Sequence, residues 1–159
     1  AGEGSAAVGA AAGVVALLSD DGEHIEFAGW VGYPIASLSD WQRLRLELAT
    51  PLTKAVRLGR PVWIDSRREM QERFPEFYPA SQAIPTGAWG VVPFVIRASG
   101  GHPALGALGL SFTAEGAVPL ADRGMAETIA ALGASALERV RLFESEQRAR
   151  IRTERLQRV

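Results

Sequence analysis

The sequence predicts an α+β domain, an antiparallel sheet of about five to six strands closed by one long C-terminal helix. Three observations carry this. Short apolar runs of strand length are separated by Gly, Pro and Asp turn signals. The stretch Thr86 to Phe112 reads as two strands joined by a turn containing Ser99, Gly100, Gly101 and Pro103. From Leu120 onward the pattern is helical without a break.

Taken in order, Ala6 to Ala12 reads as the end of a helix, weakened by Gly9 and Gly13. Gly13 to Ser19 is a buried-type strand, and Asp20, Asp21 and Gly22 supply the hairpin turn after it. His24 to Gly32 alternates, with Ile25, Phe27 and Val31 on one face and Glu26, Ala28 and Trp30 on the other. A short helical turn is expected near Ser39 to Arg45, and Leu44, Leu46 and Leu48 suggest a brief extended piece.

Thr50 can cap a helix whose first residue is Pro51, a position where proline's missing N–H costs nothing. Leu52, Ala55, Val56 and Leu58 form its buried stripe, and Gly59 ends it. Pro61 to Asp65 is a short strand. Ser66 and Glu69 have capping-box spacing, so a second helix begins there; it carries Met70 and Phe74 on one face and stops at Pro75. Glu76 to Pro85 reads as a loop.

In the central hairpin the first strand is Ala88 to Arg97, with Pro93 marking an edge, a bulge or a break in pairing. In the second strand, Leu108, Leu110 and Phe112 point one way and the small Ala107, Gly109 and Ser111 the other, leaving room for a helix or a ligand to approach. On the long helix, Met125, Ile129, Leu132, Ala136 and Val140 are expected to cover the sheet. Beyond Val140 apolar residues thin out, and Leu142, Ala149 and Leu156 recur at a heptad spacing. Such a helix should pair with another copy, continue into a further domain, or fray. Residues 1–143 are therefore expected to form the domain and residues 144–159 a helical connector toward a downstream domain.

Composition excludes several function classes. A 159-residue chain fits one domain, and 47% apolar residues suffice for a core. The net charge of −1 gives no pull toward nucleic acid or anionic membrane. No apolar run reaches the roughly 20 residues of a membrane span. The first residues lack a charged leader and apolar core, so they read as the cut end of a longer chain and not as a secretory signal. With no cysteine, disulfides, thiolate catalysis and thioether-linked cofactors are ruled out, and a cytoplasmic location is the reading adopted. The two histidines, His24 and His102, cannot make a histidine-rich metal site within one chain. No nucleophile and base pair is readable, and Asp20 and Asp21 read as turn chemistry.

Three stretches together resemble the GAF sensory domain family, whose fold is related to that of PAS domains. PLTKAVRLGRPVWI, from Pro51, looks like the family's helix, glycine stop and short strand. GAWGVVPFVIRASGGHPALGALGLSF looks like its paired central strands, and LADRGMAETIAALGASALERVRLFESEQ like its closing helix. The resemblance implies helices packed on one face of the sheet and a small-molecule pocket on the other. It also implies a place in a signalling protein, such as a bacterial two-component histidine kinase, a serine/threonine phosphatase or a transcription regulator. The family's cyclic-nucleotide constellation is missing, and the cysteines that hold bilin or reduce methionine sulfoxide are absent. Haem would need an axial histidine, and both histidines fall at turn or strand-start positions. The cofactor is thus left unassigned, with covalent bilin excluded and haem and cyclic nucleotide disfavoured.

Trp30, Phe74, Phe77, Tyr78, Trp89 and Ser111 are the candidate ligand-binding residues, and Trp63 lies on a segment bordering the same pocket. Each aromatic is also an ordinary core residue. Arg67, Arg68 and Arg73 could contact an anion or simply form a solvated helix face. Leu137, Val140, Leu142, Ala149 and Leu156 are the candidate dimer or signalling residues of the long helix. The resulting expectation is a non-catalytic sensory module with a small-molecule ligand, a homodimer through the terminal helix and a downstream output domain. The alternative is a ligand-free dimerisation spacer; a small-molecule enzyme is a distant third.

Overall fold

The computed structural model describes residues 9–34, 39–96 and 104–157. The turn through Ser99, His102 and Pro103 and the first part of the expected N-terminal helix lie outside these residues. Gly9 and Ala10 are not helical, and Ala12 already belongs to a strand, so the expected helix end does not extend to Ala12.

Six strands form one antiparallel sheet. They are β1 (Ala12–Leu18), β2 (His24–Val31), β3 (Arg43–Arg45), β4 (Val62–Ile64), β5 (Ala88–Val95) and β6 (Ala104–Phe112), in the order β3-β2-β1-β6-β5-β4. The Leu44 segment is thus strand, and of the short helical turn expected near Ser39 to Arg45 the structure shows a turn at Ser39 to Trp41 that ends before the strand. Pro93 sits where its missing N–H is tolerated. The short β4 pairs only with Trp89, Gly90 and Val91, so β5 has no partner on that side at Pro93. The register with β6 also shifts between Pro93 and Val95.

Among the described residues four helices complete the fold: α1 (Pro51–Leu58), α2 (Arg67–Arg73), α3 (Tyr78–Ser81) and α4 (Leu120–Gln157). The α1 start follows from its two threonines. Thr50 Oγ1 accepts from Thr53 N–H and Thr53 Oγ1 accepts from Thr50 N–H, both at 3.1 Å, so the reciprocal capping box is complete and the Thr53 N–H of the first turn is satisfied. Gly59 closes the helix at φ 62°, a conformation costly for residues with a Cβ. Leu52, Ala55 and Val56 are buried as expected, but Leu58 is exposed and Thr53 takes its place inside.

The α2 start is a modified capping box. Ser66 Oγ accepts from Glu69 N–H, but the Glu69 carboxylate reaches back one residue further, to Asp65 N–H at 2.8 Å. The expected loop after Pro75 contains the single turn α3.

The helices divide between the two faces. α4 packs on one side of β5 and β6, as expected for the long helix, whereas α1 approaches β5 and β6 from the other side. The small face of β6 admits α1: a Cβ on Gly109 would lie 3.3 Å from Leu52 Cδ2.

The residues that α4 buries differ from the expected ones. Ala126, Ala130 and Ala134 form the buried stripe, flanked by half-buried Ile129 and Leu137, while Met125, Leu132, Ala136 and Val140 face outward. Leu132 is 68% exposed. The cause is close approach. A Cβ on Gly133 would lie 3.0 Å from Phe94 Cε1, leaving no layer for long side chains between helix and strand. From Leu142 to Leu156 every residue of the helix is exposed.

Candidate functional site

A cavity of about 80 Å³ lies on the sheet face away from α4. Its floor is built from β1, β5 and β6, through Val14, Trp89 and Ser111. Phe27, Tyr33 and Trp41 form one wall, and Leu52, Met70 and Phe77 from the short helices and the segment before α3 form the other. The alternation of β6 explains the division: its large residues Leu108 and Phe112 pack toward α4, and its small ones face the cavity.

The candidate residues distribute unevenly around it. Phe77, Trp89 and Ser111 line the cavity, and Phe77 meets Trp41 edge to face at 5.1 Å between ring centroids. Phe74 is buried in the adjoining core, with Lys54 and Arg73 over its ring, and Tyr78 packs half-buried against the same cluster. Trp63 lies on the opposite face, beneath Arg123, because Gly90 has no Cβ to exclude its ring.

Trp30 shares a face with Phe27, contrary to simple alternation. A bulge in β2 leaves Ala28 without a partner: Gly29 faces Val15 while Phe27 faces Ala16. The extra residue shifts the following side chains by one position, so both Trp30 and Phe27 pack on the cavity-side core. Phe27 lines the cavity directly and Trp30 supports the cluster beside it.

Tyr33 and Trp41 are cavity residues that the sequence pattern did not single out. Tyr33 follows the glycine that ends β2, where it reads as strand-end chemistry. Its hydroxyl lies 2.5 Å from Ser111 Oγ, joining positions 78 residues apart, and no local pattern reports such a pair. Burial pushes the Tyr33 phenol above its ordinary value, against the hydrogen bond to Ser111, so it stays neutral.

Charged groups gather elsewhere. Arg73 bonds Trp63 C=O and the Glu69 carboxylate, and Arg68 pairs with Glu72, so both belong to the helix surface. Burial pushes the Glu69 carboxyl up, but the Asp65 N–H, Arg73 and Arg123 together outweigh it and hold the group below its usual range. Asp21, Glu23 and His24 come together at the β1–β2 turn, where Asp21 is bonded to Ser19 and Glu23 N–H. His24 Nδ1 lies 3.4 Å from Asp21, and Arg43 is also nearby. Turn formation accounts for this cluster.

No helix among the described residues is long and apolar enough to cross a membrane. No protein-family profile matches the sequence, and no curated relative matches it. Solved structures do. A domain assigned to a two-component sensor histidine kinase protein of Sinorhizobium meliloti 1021 superposes with a TM-score of 0.69 at 15% identity, covering 92% of this chain and 94% of that one. The GAF domain/HD domain protein of Geobacter sulfurreducens gives 0.67 at 13% identity, over 89% and 91% of the two chains. The type II free methionine-R-sulfoxide reductase of Thermoplasma acidophilum gives 0.60 at 17% identity, over 84% and 89%. The six-stranded antiparallel sheet with its long terminal helix is the GAF-domain fold, and this chain has it.

Proposed function

We propose that the chain is the sensory module of a signalling protein, and that a small molecule in the cavity biases the packing of α4, which passes the change to an output domain. The observation that carries this reading is the placement of cavity and helix on opposite faces of the same two strands. Trp89 and Ser111 face the cavity, while their neighbours Val92 and Phe112 pack beneath α4. A ligand that binds one arrangement of β5 and β6 better than another shifts α4 by that difference in affinity. A histidine kinase is the favoured output, supported by the Sinorhizobium meliloti neighbour. The module itself is read as non-catalytic and cytoplasmic: the reductase neighbour shares the fold, but this chain has no cysteine for thiol chemistry. Thermal denaturation against a library of metabolites, nucleotides and haem tests the sensory half. At least one stabiliser is expected, and none at saturating concentration would count against it.

A second reading, a dimerisation module, is favoured by the outer surface of α4. Met125, Leu132, Val140 and Phe143 recur at turn spacing and are 46–68% exposed. Leu142, Ala149 and Leu156 add a second, heptad-spaced edge, whereas Leu137 is turned toward the sheet. The two readings combine naturally if paired α4 helices form the output. Replacing Leu142 and Leu156 by aspartate should convert dimers to monomers in light scattering; an unchanged mass would reject pairing through that edge.

A further inference from the structure

We propose that the cavity selects an uncharged, largely apolar molecule of about one ring in size, bearing a single hydroxyl or carbonyl that docks on the Tyr33–Ser111 hydroxyl pair. This deepens the sensory reading above and rests on it.

The walls exclude charge. No Asp, Glu, Lys, Arg or His is among the described residues lining the cavity. The cations of the nearby helices are directed elsewhere, Lys54 over the Phe74 ring and Arg73 onto Glu69 and Trp63 C=O. A charged ligand would have to shed its water with nothing to compensate it. The same cost is visible in Tyr33, whose phenol burial pushes above its ordinary value.

The wall hydroxyls narrow the ligand further. Thr50 Oγ1 is engaged in the α1 cap and Ser81 Oγ donates to Tyr78 C=O. Tyr33 and Ser111 bond each other, which uses one of their two protons. The pair therefore presents one spare O–H donor and spare lone pairs, matched by a hydroxyl or carbonyl. Around it lie Phe27, Trp41, Phe77 and Trp89, an aromatic surface suited to a flat apolar body.

Size sets the remaining limit. A cavity of roughly 150 Å³ accepts benzene, and this one measures about 80 Å³. A single ring thus needs only side-chain movement of the kind common on binding, in half-buried Phe77 and Ile84. A nucleotide, haem or open-chain tetrapyrrole exceeds the space several-fold and brings charge as well.

Calorimetric titration with phenol, benzene, benzoate and benzylammonium tests this. Phenol should bind roughly tenfold or more tightly than either ion. Tyr33→Phe should weaken phenol by about two- to tenfold, the range of a neutral hydrogen bond, and leave benzene within twofold. Ser111→Ala should reproduce this split and serves if Tyr33→Phe fails to fold; Ala80→Phe, at a lining residue on α3, fills the space and should abolish all binding. Benzoate or benzylammonium binding as tightly as phenol would overturn the ligand class while leaving a sensory cavity in place. An unchanged preference for phenol over benzene in both hydroxyl variants would overturn the docking pair. Failure of every one-ring probe would overturn this proposal; the sensory reading falls with it only if the thermal-denaturation screen also finds no stabiliser.

Discussion

Arg123 Nη2 donates to Asp65 Oδ1 at 3.1 Å while its guanidinium lies 4.9 Å over the ring of Trp63. One side chain thus fastens the first turns of α4 to the corner between β4 and α2. The same corner is held from the loop before α4, where Gly116 N–H donates to Asp65 C=O and Glu115 accepts from Arg67 N–H. Arg123 also bonds Val118 C=O through Nε, so its orientation is fixed at several points. Met70, on the helix that starts at this corner, lines the cavity. The corner is therefore a physical link between the cavity wall and α4.

Replacing Arg123 by alanine removes the ion pair, the stack and the Val118 bond together. Each is partly exposed, so the expected loss is about 1–2 kcal/mol and not the value of a buried pair. Arg123→Lys should recover little of it, because an ammonium provides neither the flat face nor the fork. Urea denaturation checks both; full recovery by lysine would show that only charge matters.

The alanine stripe of α4 predicts an inverted pattern of sensitivity. Ala130→Leu forces extra atoms into a closed helix–sheet contact and should cost about 1–3 kcal/mol. Leu132→Gln, at an exposed position, should change the stability of the monomer by less than ~0.5 kcal/mol. The opposite ranking in chemical denaturation would mean that α4 is rotated on the sheet.

Thr53 should be sensitive to loss of its hydroxyl. It accepts from Thr50 N–H and donates to the C=O of Leu48, and it is fully buried. Thr53→Val keeps the shape but removes both bonds of the hydroxyl and leaves Thr50 N–H and Leu48 C=O only their bond to each other, for an expected cost of about 1 kcal/mol. Thr53→Ser should retain most of the stability in the same denaturation experiment.

Asp21 predicts a specific acid response. The Ser19 hydroxyl, then the Glu23 N–H and His24, lower its carboxyl from 3.8 to about 2. Because the folded value lies below the ordinary one, the contribution of Asp21 is complete above pH 3.8 and lost as pH falls through about 2. Carboxyl-detected NMR should place the Asp21 midpoint near 2, and Ser19→Ala should move it upward. A midpoint unmoved by Ser19→Ala would assign the effect to the turn backbone instead.

The sequence by itself determined the order of the strands and of α1, α2 and α4, the antiparallel hairpins, the α1 and α2 caps and the two-faced character of β6. These rest on interactions within a few residues, such as Thr50 with Thr53 and Ser66 with Glu69, or on strict alternation, as in Leu108, Leu110 and Phe112. Tertiary structure decided the rest. The β2 bulge put Trp30 on the face of Phe27, the close approach at Gly133 gave α4 its alanine side, and folding brought Tyr33 to Ser111. None of these leaves a local signal. A bulge depends on the partner strand, helix depth on the strand beneath it, and a hydroxyl pair on two elements brought together only by the closed sheet.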